Sequence, residues 1–244
     1  MKKFLTAKGK YFIAPLLLAL GAGAVFFFLS ISRKDPENIR FEKYIDQIFQ
    51  EELKGNTLNL HYTLAYPEDY GIKDYSVSLG TMKPEALKEN LEETRVLNKK
   101  LKSFDSGQLS EENQIIYDIL SLEFSSQLSL GSSYLLAEPL GPNLGIQAQL
   151  PILLAEYTLR TSADIKDYFS LLSQIPDYFQ SILEFEEEKA RRDLFMSDAS
   201  ANRIIRQCQS FMETGEENYL YSMFRQQIEE LLTEKRITQD QADS

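Results

Sequence analysis

Only one of the 244 residues is a histidine, His61, and only one is a cysteine, Cys208, so few side chains can serve as nucleophile, base or soft metal ligand. His61 lies in "NTLNLHYTLAYPEDYGI", residues 56–72, among leucines and tyrosines. A catalytic imidazole needs an orienting acceptor and a nucleophile or metal beside it, and a zinc helix needs H-E-x-x-H, with two histidines one turn apart. One histidine cannot supply that motif. His61 therefore reads as a satisfied, partly buried side chain bonded to neighbouring loop backbone. Cys208 is in register with Ile204, Ile205 and Phe211 on an apolar helix face, where a thiol behaves as a small hydrophobe and stays protonated. A single cysteine also rules out an intrachain disulfide, a CxxC redox pair and a Cys-rich zinc site. Any metal would be held mostly by carboxylates, which suits calcium or magnesium better than zinc.

The carboxylate clusters read as surface. Glu187 and Glu188 precede Arg191 and Arg192 by four residues, the favourable order for helix ion pairs, so Glu184, Glu186, Glu187 and Glu188 are assigned to a solvated face. Glu89, Glu92 and Glu93 share a face of a polar helix but lack the E-x-x-H of carboxylate di-metal sites. No EF-hand pattern is present, and Gly141 and Gly145 are not followed by the Lys-Ser/Thr of a P-loop. No catalytic, cofactor-binding or metal residue is assigned, and no small-molecule cofactor is expected.

The elements that must carry these residues are helices, and the fold class is all-α. Ile39, Phe41, Tyr44, Ile45, Ile48 and Phe49 recur at helical spacing, with Gly55-Asn56 as a stop. Residues 56–72 alternate weakly and contain Pro67 and Gly71, which predicts extended chain and turns. Residues 84–104 form a polar helix followed by an Asp105-Ser106-Gly107 loop. Ser110 caps a helix whose apolar face carries Ile116, Ile119, Leu120, Phe124 and Leu128. A Pro/Gly loop opens "PLGPNLGIQAQLP", residues 139–151. Thr161 and Asp164 then form a capping box, with Asp in place of Glu, for a helix facing inward through Ile165, Tyr168, Phe169 and Leu172. Pro176 kinks or restarts that helix. Asp198 caps a helix bearing Ile204, Ile205, Cys208, Phe211 and Met212, which Gly215 ends, and the apolar register from Tyr219 to Leu232 marks another. Thr238 and Gln241 have capping-box spacing, with Ile237 as the apolar residue before the cap. This predicts either the first turn of a further helix or an exposed polar tail.

Residues 1–34 carry six basic residues and no acid, which leaves 20 bases against 37 acids in the rest, a balance of −17. That body repels nucleic acid and anionic bilayers, so no nucleic-acid partner is expected. The run that opens at Tyr11 and closes at Ile31 contains no charge, and about 20 helical residues span about 30 Å of hydrocarbon. It predicts a single membrane anchor over residues 1–34, followed by an extracytoplasmic helical domain over residues 35–244. The four lysines before the run leave the N-terminus in the cytoplasm. The alternative is a signal peptide cleaved near Ala22-Gly23-Ala24 and a secreted body, although Phe26, Phe27, Phe28 and Leu29 prolong the run past that site.

The segment "LHYTLAYPEDYGI", then "GIQAQLP" and the capped "TSADIKDYFSLLSQIPDYF", resemble the N-terminal half of the bacterial domain-of-unknown-function family 885, whose members are similar to all-helical zinc metallopeptidases. The resemblance covers the body from about Phe41 onward. It implies an irregular multi-helix array, a peptide substrate for the full-length protein, and an H-E-x-x-H-like zinc helix in a second half. Members are usually about twice as long, and no position here matches the zinc motif, so no ligand is carried over. The expectation is an incomplete helical domain, inactive alone, with zinc confined to a missing C-terminal half. The alternative is a tethered helical binding or scaffold module.

Overall fold

The computed structural model describes residues 36–242, all of whose regular structure is helical. The anchor expected from Tyr11 to Ile31 lies outside the described residues, and among these no helix is long and apolar enough to cross a membrane. The α-helices are α1 (Pro36–Gly55), α2 (Thr57–Thr63), α3 (Pro84–Leu101), α4 (Glu111–Leu130), α5 (Ile146–Ala155), α6 (Ser162–Ala190), α7 (Asp198–Glu213), α8 (Tyr219–Thr233) and α9 (Gln239–Ala242). The chain divides into two compact units, the first including residues 36–46 and 99–122, the second residues 47–98 and 123–242.

The first unit is built around aromatic rings. Phe41 is fully buried, and its ring meets Phe104 edge-on at 5.3 Å. Tyr44 packs on the same Phe104 at 5.3 Å, and the Arg40 guanidinium lies 4.4 Å from the Phe104 ring centroid. Polar side chains close the turn after α3: Glu37 accepts the Asp105 N–H at 3.0 Å, and Asn38 Oδ1 accepts the Ser110 N–H at 2.8 Å. Ser110 itself caps α4 by accepting the Asn113 N–H at 3.3 Å.

The second unit has its core between α5, α6 and α8, where Leu150, Leu154, Tyr157, Tyr168, Leu171 and Leu231 are all buried. Each such leucine stabilises the fold by about 1.5–3 kcal/mol relative to exposure. A smaller cluster joins Leu53, Leu60, Leu64 and Ile72, with Tyr75 against it. The capping box at α6 forms as the spacing requires, and α6 runs unbroken through Pro176 to Ala190 rather than restarting there. A proline costs the helix one N–H bond, and its ring crowds the preceding turn; here Pro176 is exposed, so a loosened turn meets solvent.

Residues 56–72 depart from expectation. They fold as the helix α2 and a 3-10 turn, Pro67–Tyr70, rather than as extended chain. Asn56 explains this: its Oδ1 caps α2 by accepting the Asn59 N–H at 3.0 Å, and its Nδ2 donates to the Leu79 carbonyl at 3.0 Å. Thr57 adds a reciprocal pair with Ser78, its N–H donating at 2.8 Å and its Oγ1 accepting at 2.9 Å. At α7 the cap is Ser197 rather than Asp198, which instead opens the helix. Ile119, Phe169, Ile205 and Met212, expected on inward faces, are exposed. The Thr238–Gln241 box does form, with the Thr238 N–H donating to Gln241 Oε1 at 2.9 Å and Ile237 buried in the core.

Candidate functional site

His61 ends up as the centre of a buried polar cluster. It stands on the last turn of α2, 7% exposed, and its ring stacks on Tyr157 with centroids 3.7 Å apart and planes 14° from parallel. Its Nε2 accepts the Thr158 backbone N–H at 3.2 Å. That bond requires a bare lone pair on Nε2, so the neutral ring carries its proton on Nδ1, which faces Asp164 Oδ1 at 3.9 Å. The Arg160 side chain approaches to 3.4 Å from both ring nitrogens. Burial, reinforced by the Arg160 charge and only partly opposed by Asp164, pushes the imidazole down to about 4. The expected backbone bond is thus present, but it comes from the loop before α6, 97 positions away, rather than from a neighbouring loop.

Asp164 couples this cluster to the α6 cap. Its Oδ2 accepts from the Thr161 N–H at 2.7 Å and the Arg160 N–H at 3.0 Å, while Thr161 Oγ1 caps the first turn. One turn on, Asp167 accepts from the Tyr75 hydroxyl at 2.7 Å. Burial, the bond to Asp167 and the charges of both aspartates push the Tyr75 phenol upward, keeping it a donor. A cavity of about 40 Å³ lies among His61, Tyr75, Tyr157, Arg160 and Asp164. It can admit a water molecule but falls far short of the hundreds of Å³ of a ligand pocket. No serine or cysteine lines it, and the Thr57 hydroxyl that does is held by the Ser78 N–H. The imidazole has a backbone donor on Nε2 and a carboxylate 3.9 Å from Nδ1 but no hydroxyl or thiol nucleophile beside it, and the cluster pins α2 to the start of α6.

These residues do not fit zinc. The lone imidazole spends Nε2 on backbone, and Asp164 is committed to the cap. Among the described residues no three His, Cys, Asp or Glu side chains converge as a metal site would require.

The glutamates of α6 divide differently from the expected solvated face. Glu188 takes both Arg191, at 2.8 Å, and Arg192, at 2.7 Å, so Arg191 pairs with Glu188 and not with Glu187. Glu186 is buried, with neither oxygen hydrogen-bonded and the Lys189 ammonium 3.7 Å away. Lys189, itself fully buried, donates to the Ala137 carbonyl at 2.9 Å and to Glu138 at 3.0 Å. Burial pushes the Glu186 carboxyl upward against the opposing pull of Lys189. The local signal was the three-residue spacing from Glu186 to Lys189, which the four-residue pattern of the arginines hid. Glu89, Glu92 and Glu93 are exposed on α3, and Cys208 is half-buried on α7.

Gly141 and Gly145 prove structural. The Gly145 N–H donates to the Gly141 carbonyl at 3.1 Å, and a β-carbon at Gly145 would collide with the Gly141 backbone. Gln147 Nε2 donates to the same carbonyl at 2.7 Å and to Gln207 Oε1 at 2.9 Å, while Gln207 Nε2 donates to the Pro142 carbonyl at 2.7 Å. The loop is thereby tied to α7, beside a cleft of about 530 Å³ that Arg203 and Arg206 also line.

Residues 67–244 match the family described as "Bacterial protein of unknown function (DUF885)", and the chain belongs to that family. The match begins inside the 56–72 stretch, after His61 and before Tyr75, Tyr157 and Asp164. No curated protein and no solved structure matches the chain.

Proposed function

We propose that this chain is the N-terminal helical part of a membrane-anchored, extracytoplasmic protein similar to zinc metallopeptidases, itself without a catalytic site. One observation carries the reading: the only imidazole in the sequence is buried against Tyr157 with its Nε2 lone pair given to a backbone N–H. Family membership over residues 67–244 supports the helical framework. In this reading the helices wall a substrate cleft by analogy of fold, and the zinc and its ligands belong to a second half. The basic residues before the apolar run support an anchor with the body exported, the secreted form being the other outcome of processing. A second reading, a tethered binding module that needs no catalytic half, is favoured by the arginine-lined cleft on α7.

The test is an immunoblot of membrane and soluble fractions from the producing cells, using an antibody against residues 184–192. A membrane band well above 28.1 kDa is expected. A band at 28.1 kDa would overturn the half-protein reading and favour the binding module, and recovery only outside the membrane would overturn the anchor.

A further inference from the structure

Arg203 and Arg206 stand one turn apart on α7, both exposed, and neither has an ion-pair partner among the described residues. They line the 530 Å³ cleft against α5, together with Gln147, Gln207 and Ser210, and no carboxylate lines it. In a chain with 37 acidic residues, a cleft lined by two arginines and no carboxylate has a positive local field. Phe211 forms one wall of this cleft and also one wall of a second pocket of about 580 Å³. That pocket is wholly uncharged, lined by Tyr168, Phe169, Leu172, Met212 and Phe224 among others. Phe169 is 54% exposed and Met212 70%, so the apolar surface is open to a ligand. Gln147 and Gln207, hydrogen-bonded to each other and to the 139–145 loop, hold the cleft floor in place.

We propose that these two pockets, which share Phe211 in their walls, together bind an extended peptide segment carrying an acidic residue a few positions from a large apolar one. The carboxylate pairs with Arg203 and Arg206 through charge-assisted hydrogen bonds, and the apolar side chain enters the Phe169–Phe224 pocket. The negative body does not prevent this, because beyond a Debye length of about 8 Å its field is screened, whereas the guanidinium groups act at contact. An anionic membrane is the poorer occupant, since it would bring the whole acidic body against like charge. Binding of this kind needs no catalysis and holds whether or not a peptidase half exists.

The experiment uses the full chain in phosphatidylcholine nanodiscs and a fluorescein-labelled peptide amide, Gly-Phe-Leu-Ala-Glu-Gly, read by anisotropy against empty discs. Saturable binding is expected, weakened about tenfold when the peptide's glutamate is replaced by glutamine and about tenfold by R203Q/R206Q, each worth about 1.4 kcal/mol. F169S should weaken both peptides alike. These side chains are exposed, and an unchanged circular-dichroism melt will show that the variants fold. Equal binding of both peptides, or indifference to R203Q/R206Q, would overturn the proposal. So would a concentration-dependent dimer abolished by F169S, which would make a second copy the occupant.

Discussion

At the scale of single residues, His61 makes stability depend on pH. Its folded-state value of about 4 lies below the ordinary imidazole value of 6.5, so between those limits the unfolded chain binds the extra proton. Stability therefore rises with pH across that window and levels off above about 7, the full effect being on the order of 3 kcal/mol. Urea unfolding at pH 7 and pH 5 should show the loss at the lower pH, and H61Q should flatten the difference while lowering stability at pH 7. An equal slope in H61Q would assign the titration to other groups. The isolation of His61 in the sequence was legible, and it forecast a satisfied side chain. Its partners were not, because Tyr157, Thr158, Arg160 and Asp164 lie about a hundred positions downstream and no local spacing encodes a contact of that separation.

At the scale of elements, caps written in adjacent residues were the most readable features: Thr161 with Asp164, and Thr238 with Gln241, form as their spacing demands. Helix α2 was not readable, because Asn56 caps it without a reciprocal acidic partner and seven residues are too few to be helical by themselves. Contacts with residues 77–80 make it a helix. The Gly145 loop is more restrictive than its composition suggests. Its φ of −70° suits any residue, so the requirement for glycine is the approach of the Gly141 backbone. G145A should cost about 1–3 kcal/mol of strain, measurable as a lower urea midpoint, whereas G55A, with open space around it, should not. On α6, K189M would leave Glu186 buried and uncompensated, costing about 3 kcal/mol at neutral pH. The cost should shrink under acid, where the carboxyl neutralises, and the K189M/E186M pair should recover most of it. A double-mutant cycle by denaturation checks both statements.

At the scale of the whole molecule, the helical class and most helix boundaries follow from apolar periodicity, while the distribution of exposed rings does not. Phe169 and Met212 carry the right register for a core yet remain open beside the α7–α8 pocket. Periodicity reports which residues seek burial, not whether a neighbour arrives to bury them. The two units also interleave along the chain, since residues 47–98 belong with residues 123–242. This has a consequence for biosynthesis. The bond that holds α2 joins His61 to a residue made 97 positions later, and at typical ribosomal rates that delay is roughly 5 to 20 seconds. Until residues 157 and 158 are made, Leu58 and Leu60 can pack only on nearby partners such as Leu79 and Leu53, and the imidazole lacks both the ring it stacks on and the N–H it accepts.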